Sequence, residues 1–425
     1  MTGPDPLDVP SPFGQQHAVL PRPPLGADLP ASEPGRVLES VTPIATTAAR
    51  SGDEPRAPRV LEIAPRFAPY SGGVERHLAE IVPRLARLGL DVTVLTTDVS
   101  RALPEREVVD GVSVLRVPAY PAGRDYYFAP GLSRIIRERG AWDLVHIHSY
   151  QTFVAPVAMY AAHREGLPYL LTLHSGGHSS GMRNAVRGVQ LMVLRPLLRQ
   201  ARRLIAVSAF EAEEFAKRLR LRSDRFAVIP NGGQMPTVAP HVVPDPAPLI
   251  VSVGRLERYK GHQRILAAMP HITSEFPSVR LRIVGEGPYE PELRHLAARL
   301  GMSDRVEIGP IPPERRDEMA EVLARASLVT LLSEYESQGI AIMEALALRR
   351  PVLVAYTSGL MEYADRGLAR GVSLDAAPFD VAQASIGQLR DPLEAPAVSM
   401  PTWDGCAERL ATLYRQTVGA RSATG

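Results

Sequence analysis

The sequence has 425 residues, more than one hydrophobic core usually serves, so two domains are expected. Charged residues at 22% and apolar residues at 45% are ordinary for a globular enzyme, and a formal charge of +2 makes no case for a nucleic-acid partner. Cys406 is the only cysteine, which excludes a disulfide framework and a thiolate metal cluster and fits a reducing cytoplasm.

The first residues, Met1 to Pro6, carry neither a basic stretch nor an apolar run, so they do not read as a secretion signal. No apolar run approaches the ~20 residues that a membrane-spanning helix needs. The expected location is cytoplasmic, with any membrane contact peripheral and at the inner face. Residues 1–57 hold about a quarter of the 40 prolines and show no periodicity, so a disordered tail is expected there.

From Arg59 onward short apolar strands alternate with amphipathic helices. Val60–Ala64 reads as a strand, followed by the loop Pro69-Tyr70-Ser71-Gly72-Gly73. A helix with Val74, Leu78, Ile81, Val82, Leu85 and Leu88 on one face comes next, stopped by Gly89, with a kink expected at Pro83. Further strands read at 91–95, 143–148, 169–173 and 204–207. The proline-rich stretch from Pro236 to Pro248 reads as a linker. Beyond it the alternation restarts, with strands at 249–253, 279–284, 305–308, 328–332 and 351–354. The chain ends in an amphipathic helix carrying Ala407, Leu410, Leu413 and Tyr414. The expected fold is therefore α/β, with two Rossmann-like doubly wound domains facing a cleft. Their expected bounds are 58–240 and 246–400, with 401–425 a C-terminal helix able to pack back on the first domain.

The segment from Glu334 to Leu346 concentrates the chemistry. Glu336 precedes a glycine turn, a helix follows, and the backbone N–H groups of Gly339, Ile340 and Ala341 would point out of its N-terminus as an anion site. Glu336 and Glu344, eight positions apart, would flank a diphosphate and accept hydrogen bonds from sugar hydroxyls. The same pattern also serves an acid complementing the helix dipole and a glutamate facing solvent. In Gly254-Arg255-Leu256-Glu257-Arg258-Tyr259-Lys260-Gly261, Arg255 and Lys260 fall at a strand's carboxyl edge, where two cations can neutralise a departing diphosphate; a solvated loop is the alternative.

Gly72 and Gly73 permit close backbone approach at the first strand-to-helix turn, and Gly285-Glu286-Gly287-Pro288 is a second glycine turn. His174 ends a strand where its side chain can reach the cleft. His146 and His148 alternate along a buried-looking strand, and no ligand spacing supports a metal. Ser208-Ala209-Phe210-Glu211 reads as a capping box. Residues 183–203 carry six arginines among leucines, methionine and valine, either a packed helix with a basic face or a contact with anionic membrane.

Together these segments resemble the family-four retaining glycosyltransferases of the GT-B fold. The resemblance runs from Arg59 to the C-terminal helix. It rests on Pro69-Tyr70-Ser71-Gly72-Gly73-Val74-Glu75, Ile229-Pro230-Asn231-Gly232, Val253-Gly254-Arg255 with Lys260-Gly261, Val284-Gly285-Glu286-Gly287-Pro288, and the pair Glu336 and Glu344. It implies an enzyme moving a hexose-type sugar from a UDP- or GDP-sugar, with retention, to a lipid-linked, polysaccharide or small-molecule acceptor, without a metal. By position, Arg255 and Lys260 would hold the pyrophosphate and Gly72 and Gly73 would approach it from the other half. Glu336 and His174 would then sit by the transferred sugar, and Glu344 by the ribose. The family's common Glu-Gly-Phe-Gly is here Glu336-Ser337-Gln338-Gly339, and Thr357-Ser358-Gly359-Leu360-Met361-Glu362 replaces its Gly-Gly-x-Pro-Glu, which leaves the donor's identity open. A sugar-nucleotide epimerase and a non-catalytic nucleotide-sugar or glycan scaffold are the other functions such a chain would serve.

Overall fold

The computed structural model describes residues 56–422, apart from Ser71, residues 124–126, 176–180, 239–244, 313 and 394–398, and apart from the side chains of 181–187, 421 and 422. The expected tail lies outside the described residues except for Arg56 and Ala57.

The first half contains β1 (Arg59–Ile63), α1 (Gly73–Arg87), β2 (Asp91–Asp98), β3 (Arg106–Val109), β4 (Val112–Pro118), α2 (Gly131–Ile136) and β5 (Leu144–His148). It continues with α3 (Val154–Arg164), β6 (Tyr169–Thr172), α4 (Gly181–Gln200), β7 (Arg203–Ala206), α5 (Ala209–Leu219) and β8 (Phe226–Val228). These strands form one sheet in the order β3-β4-β2-β1-β5-β6-β7-β8, parallel except for β3. The β3–β4 hairpin and the edge strand β8 were absent from the sequence reading. The hairpin's signal is Asp110-Gly111, both at positive φ between Val109 and Val112, as a two-residue hairpin turn requires.

The second half contains β9 (Leu249–Val253), α6 (His262–Glu275), β10 (Arg280–Val284), α7 (Glu290–Arg299), β11 (Val306–Gly309), α8 (Arg316–Arg325) and β12 (Leu328–Leu331). After these come α9 (Ile340–Ala347), β13 (Val352–Ala355), α10 (Met361–Asp365), β14 (Arg370–Val372), α11 (Pro378–Arg390) and α12 (Trp403–Ser422). Its six strands run parallel in the order β11-β10-β9-β12-β13-β14. The fold is thus two Rossmann-like α/β domains.

Apolar periodicity explains the layers. His77, Leu78, Ile81, Val82 and Leu85 recur at helical spacing and bury one face of α1, which runs unbroken through Pro83. On the same side of the first sheet, α12 buries Trp403, Cys406, Ala407, Leu410, Ala411 and Tyr414. The last helix of the chain therefore belongs to the first sheet's core, and the full burial of Trp403, Leu410 and Tyr414 contributes about 1.5–3 kcal/mol each. Helices α2, α3, α4 and α5 cover the opposite face. In both sheets the segments that follow the carboxyl ends of the parallel strands carry most of the residues singled out from the sequence, as doubly wound folds place their ligands.

Candidate functional site

In the second domain the glutamates occupy defined pockets of charge. Gly339 adopts φ +79 as the residue that opens α9, a conformation glycine reaches without strain. The first-turn N–H groups at Ile340 and Ala341 have no intrahelical acceptor. Lys260 Nζ lies 2.6 Å from Glu336 Oε1, and Ser333 Oγ donates to the same oxygen at 3.0 Å. Burial alone would lower the Lys260 ammonium, but the Glu336 carboxylate holds it above its usual value, so it is charged at neutral pH. Gly261, at φ +77, sits so close to the Leu332 carbonyl that a Cβ would collide with it, which keeps the Lys260 loop against the end of β12.

Glu344 is buried and receives Arg76 NH2 of α1 at 2.6 Å and Arg316 NH2 of α8 at 2.8 Å, both on Oε1. Among the described residues no hydrogen bond reaches Oε2 of either Glu336 or Glu344. Each carboxylate is fixed through Oε1, with the Glu336 side chain 14% and the Glu344 side chain 3% exposed. Arg255 is placed differently: its side chain is 68% exposed and pairs with Glu257. The Gly285–Gly287 turn supports the Arg255 loop, with Leu256 N donating to Glu286 O at 2.8 Å.

The first domain contributes a histidine cluster. His146 and His148, two apart on β5, point to the same face and are fully buried. His148 contacts Glu62 Oε2 through Nε2 at 2.7 Å and His174 Nε2 through Nδ1 at 3.1 Å. Tyr414 of α12 donates to Glu62 Oε1 at 2.8 Å. The ionised Glu62 requires a proton on His148 Nε2, so His148 Nδ1 accepts and His174 Nε2 donates, leaving the lone pair of His174 Nδ1 directed elsewhere. Burial pushes His148 down to about 4 and His77 to about 3, and lowers His174 well below the usual histidine value. All three are neutral at physiological pH. Burial opposes the charge of Glu62, but His146 and His148 hold its carboxyl far below the usual range. His174 itself takes a left-handed backbone conformation, φ +45, and is half-buried at the cleft.

Gly72 lies under the Glu75 side chain, and Gly73 opens α1 with no heavy atom of the described residues within 4 Å of a built Cβ. Burial raises the Glu75 carboxyl, while Arg66 and Arg255 oppose that rise, so the glycine loop and Arg255 share one field across the cleft.

Residues 71–232 match the family described as Glycosyltransferase Family 4, and residues 237–391 the family described as Glycosyl transferases group 1. The chain belongs to the family-four glycosyltransferases. Among its relatives, the D-inositol 3-phosphate glycosyltransferase of Nocardiopsis dassonvillei is 28% identical, over 83% of this chain and 91% of that one. Of solved structures, sucrose-phosphate synthase from Thermosynechococcus elongatus superposes with a TM-score of 0.69 at 21% identity, covering 85% of this chain and 100% of that one. Anabaena HepE in complex with UDP-glucose gives 0.63 at 19% identity, covering 86% and 100%. At those identities the structures establish the GT-B fold.

Several residues of this glycosyltransferase that sequence reasoning missed hold its site. Glu62, read only as part of an apolar strand, anchors the histidines. The capping-box reading is half right: Ser208 Oγ accepts from Glu211 N at 3.1 Å, but the Glu211 carboxylate turns away from the cap. It takes Val207 N and Ser175 N, both at 2.8 Å, and so holds the loop beside His174. The one sequence trace of Glu62 is an acid inside an apolar strand, which reads equally as an exposed residue; nothing in the sequence distinguishes Glu211 from a capping residue.

Two groups, His77 with His148 and His174, and Glu62 with His146 and His148, are compact enough to share a metal ion. Their atoms already serve one another: His146 also contacts Tyr414 Oη and Thr172 Oγ1, and His77 Nδ1 contacts Asn231 Oδ1 at 2.7 Å. His77 Nε2 is a buried ring nitrogen of the cluster without a hydrogen-bond partner among the described residues. In α4, Leu191, Leu194 and Leu198 are buried whereas Val189, Met192 and Val193 are exposed. Among the described residues, no helix is long and apolar enough to cross a membrane.

Proposed function

We propose that this glycosyltransferase moves a hexose-type sugar from a UDP- or GDP-sugar to an acceptor hydroxyl with retention of anomeric configuration. The observation that carries the reading is the paired arrangement of Glu336 and Glu344 on either side of the N-terminus of α9, each anchored by cations through Oε1 with no hydrogen bond from the described residues at Oε2. Such a pair suits a ligand with hydroxyls at both ends of a diphosphate. Glu344 Oε2 would accept from the ribose and Glu336 Oε2 from the transferred sugar. Lys260, with Arg255 and the N–H groups of Gly339, Ile340 and Ala341, would meet the diphosphate, and Gly72 and Gly73 would approach it from the first domain. As the bond from the anomeric carbon to phosphate oxygen breaks, negative charge collects on the leaving group, where the half-buried ammonium and helix terminus stabilise it most. The departing phosphate oxygen takes the acceptor hydroxyl's proton as that oxygen bonds the anomeric carbon from the same face. His174, neutral and directed by His148, would orient the sugar. With cations already in place, no metal is required. The HepE complex with UDP-glucose makes the uridine donor the first to try.

A thermal-shift series with UDP, GDP, ADP and their sugar conjugates, each with and without EDTA, tests this reading. Stabilisation by one base, unchanged by EDTA, is expected; no shift with any nucleotide at millimolar concentration would overturn it. An acceptor that is lipid-linked also accounts for α4, whose exposed Val189, Met192 and Val193 lie on the helix that leads to exposed Arg199, Arg202 and Arg203. Co-sedimentation with phosphatidylglycerol vesicles, weakened by salt, is the expected signature, and equal recovery with neutral vesicles would remove it.

A further inference from the structure

We propose that Tyr335 and Ser337 form, with Ser175, a latch across the cleft that sets the distance between His174 and Glu336. The proposal rests on the reading of those two residues as neighbours of the transferred sugar. Ser175 follows His174 in the first domain, and Tyr335 and Ser337 flank Glu336 in the second. Ser337 Oγ donates to the Ser175 carbonyl, and the Tyr335 and Ser175 hydroxyls lie 2.8 Å apart. These two contacts cross between the domains directly beside both residues.

Each end of the latch is fixed on its own side. The buried Glu211 carboxylate binds Ser175 N and Oγ, tying the His174 loop to α5. Opposite, Ser358 Oγ accepts from Glu336 N and Gly359 N donates to Glu336 O, both at 2.9 Å. Two further contacts span the same seam. Gln338 Oε1 accepts from Asn231 N at 3.0 Å, and Glu362 Oε1 from Phe210 N at 2.7 Å. With both ends rigid, the crossing bonds define the gap.

The Glu-Gly-Phe-Gly common in the family has no hydroxyl where Ser337 stands and no amide where Gln338 stands. The departures at these positions convert an apolar loop into a polar seam. Each neutral hydrogen bond shifts a closed-to-open ratio by about two- to tenfold, so a set of them keeps the domains closed through much of the catalytic cycle. Most nucleotide contacts assigned above, those of Lys260, Arg255, Glu344 and the N-terminus of α9, lie in the second domain, and Gly72 and Gly73 add a backbone approach from the first. Loosening the latch should therefore lower kcat far more than nucleotide affinity, because it separates His174 from the sugar.

The experiment compares Ser337→Gly, Tyr335→Phe with Ser337→Ala, and Ser337→Thr against the wild type in the full chain. Spin labels on Lys217→Cys and Arg366→Cys, exposed and one in each domain, report domain separation, with the buried Cys406 left unlabelled. A single narrow distance distribution is expected in the wild type, and a broader, longer one in Ser337→Gly and in the double variant. Acceptor-free hydrolysis of UDP-glucose, or of the donor chosen by the thermal-shift series, should fall at least tenfold in kcat. The nucleotide's Kd should stay within twofold, and Ser337→Thr should retain most of the rate. An unchanged distance distribution in the double variant overturns the latch. A loss of nucleotide affinity in proportion to kcat overturns the positioning role and makes the loop a donor contact. If the wild type binds no nucleotide, the proposed function fails, and the distance measurement still decides the latch.

Discussion

The two domains offer the cleft opposite electrostatics. The first presents imidazoles stripped of charge, with His77, His148 and His174 all depressed by burial around one ionised Glu62 that is itself sealed by Tyr414. The second presents standing ion pairs, Lys260 with Glu336 and Arg316 with Glu344. The contrast follows from the chemistry proposed for each side. A diphosphate leaving group needs cations that stay charged, whereas the sugar needs oriented donors and acceptors that do not compete for its negative partner. One domain supplies charge and the other supplies direction.

Removing charge from the second domain should be the largest perturbation of function. Lys260→Ala is expected to lower kcat/KM by about 2–4 kcal/mol of transition-state stabilisation in a donor-hydrolysis or transfer assay. Arg255→Ala should cost less, because its guanidinium is largely exposed and screened. An equal loss in both variants would show that Arg255 moves inward when donor binds. On the other side of the comparison, Glu62→Ala strands Tyr414 and His148 and should destabilise the fold by about 3 kcal/mol in urea unfolding, with no direct loss of a donor contact.

Acid sharpens the same contrast. His148 is depressed to about 4 in the folded state against about 6.5 unfolded, so the unfolded chain binds more protons between those values. Stability is therefore level above pH 6.5 and falls as pH drops toward 4, by about 2–3 kcal/mol from His148 alone. Glu62 acts in the same direction at still lower pH, because its folded value is depressed and its contribution is lost on protonation. Chemical denaturation at pH 7.5 and pH 5 measures the fall, and equal stability at both would refute the neutral cluster. The smallest effect expected is at Glu344. Glu344→Gln should weaken nucleotide binding by about 1–2 kcal/mol in calorimetry, more for a ribonucleotide than for its deoxy analogue.

Much of the site was legible because it is local. A strand, a glycine turn and a helix within a dozen residues place Glu336, Gly339 and Glu344, and the same grammar places Gly254, Arg255 and Lys260. The β3–β4 hairpin escaped because its strands interrupt the strand–helix alternation on which the reading relied. Glu62 escaped because one carboxylate in a five-residue apolar strand looks like an exposed residue until its neighbours are known.

What the sequence determined by itself is therefore the periodic part: two parallel α/β sheets, the loops at their carboxyl ends, and the chemical types those loops carry. Tertiary structure alone decided which groups meet. Arg76 reaches Glu344 across 268 positions, Tyr414 reaches Glu62 across 352, and Ser337 reaches Ser175 across 162. Hydrophobic periodicity is a property of neighbours along the chain, so it can be read from one dimension. A buried hydrogen bond between distant segments is fixed only when two domains and the returning α12 are packed together, and no local pattern encodes that partner.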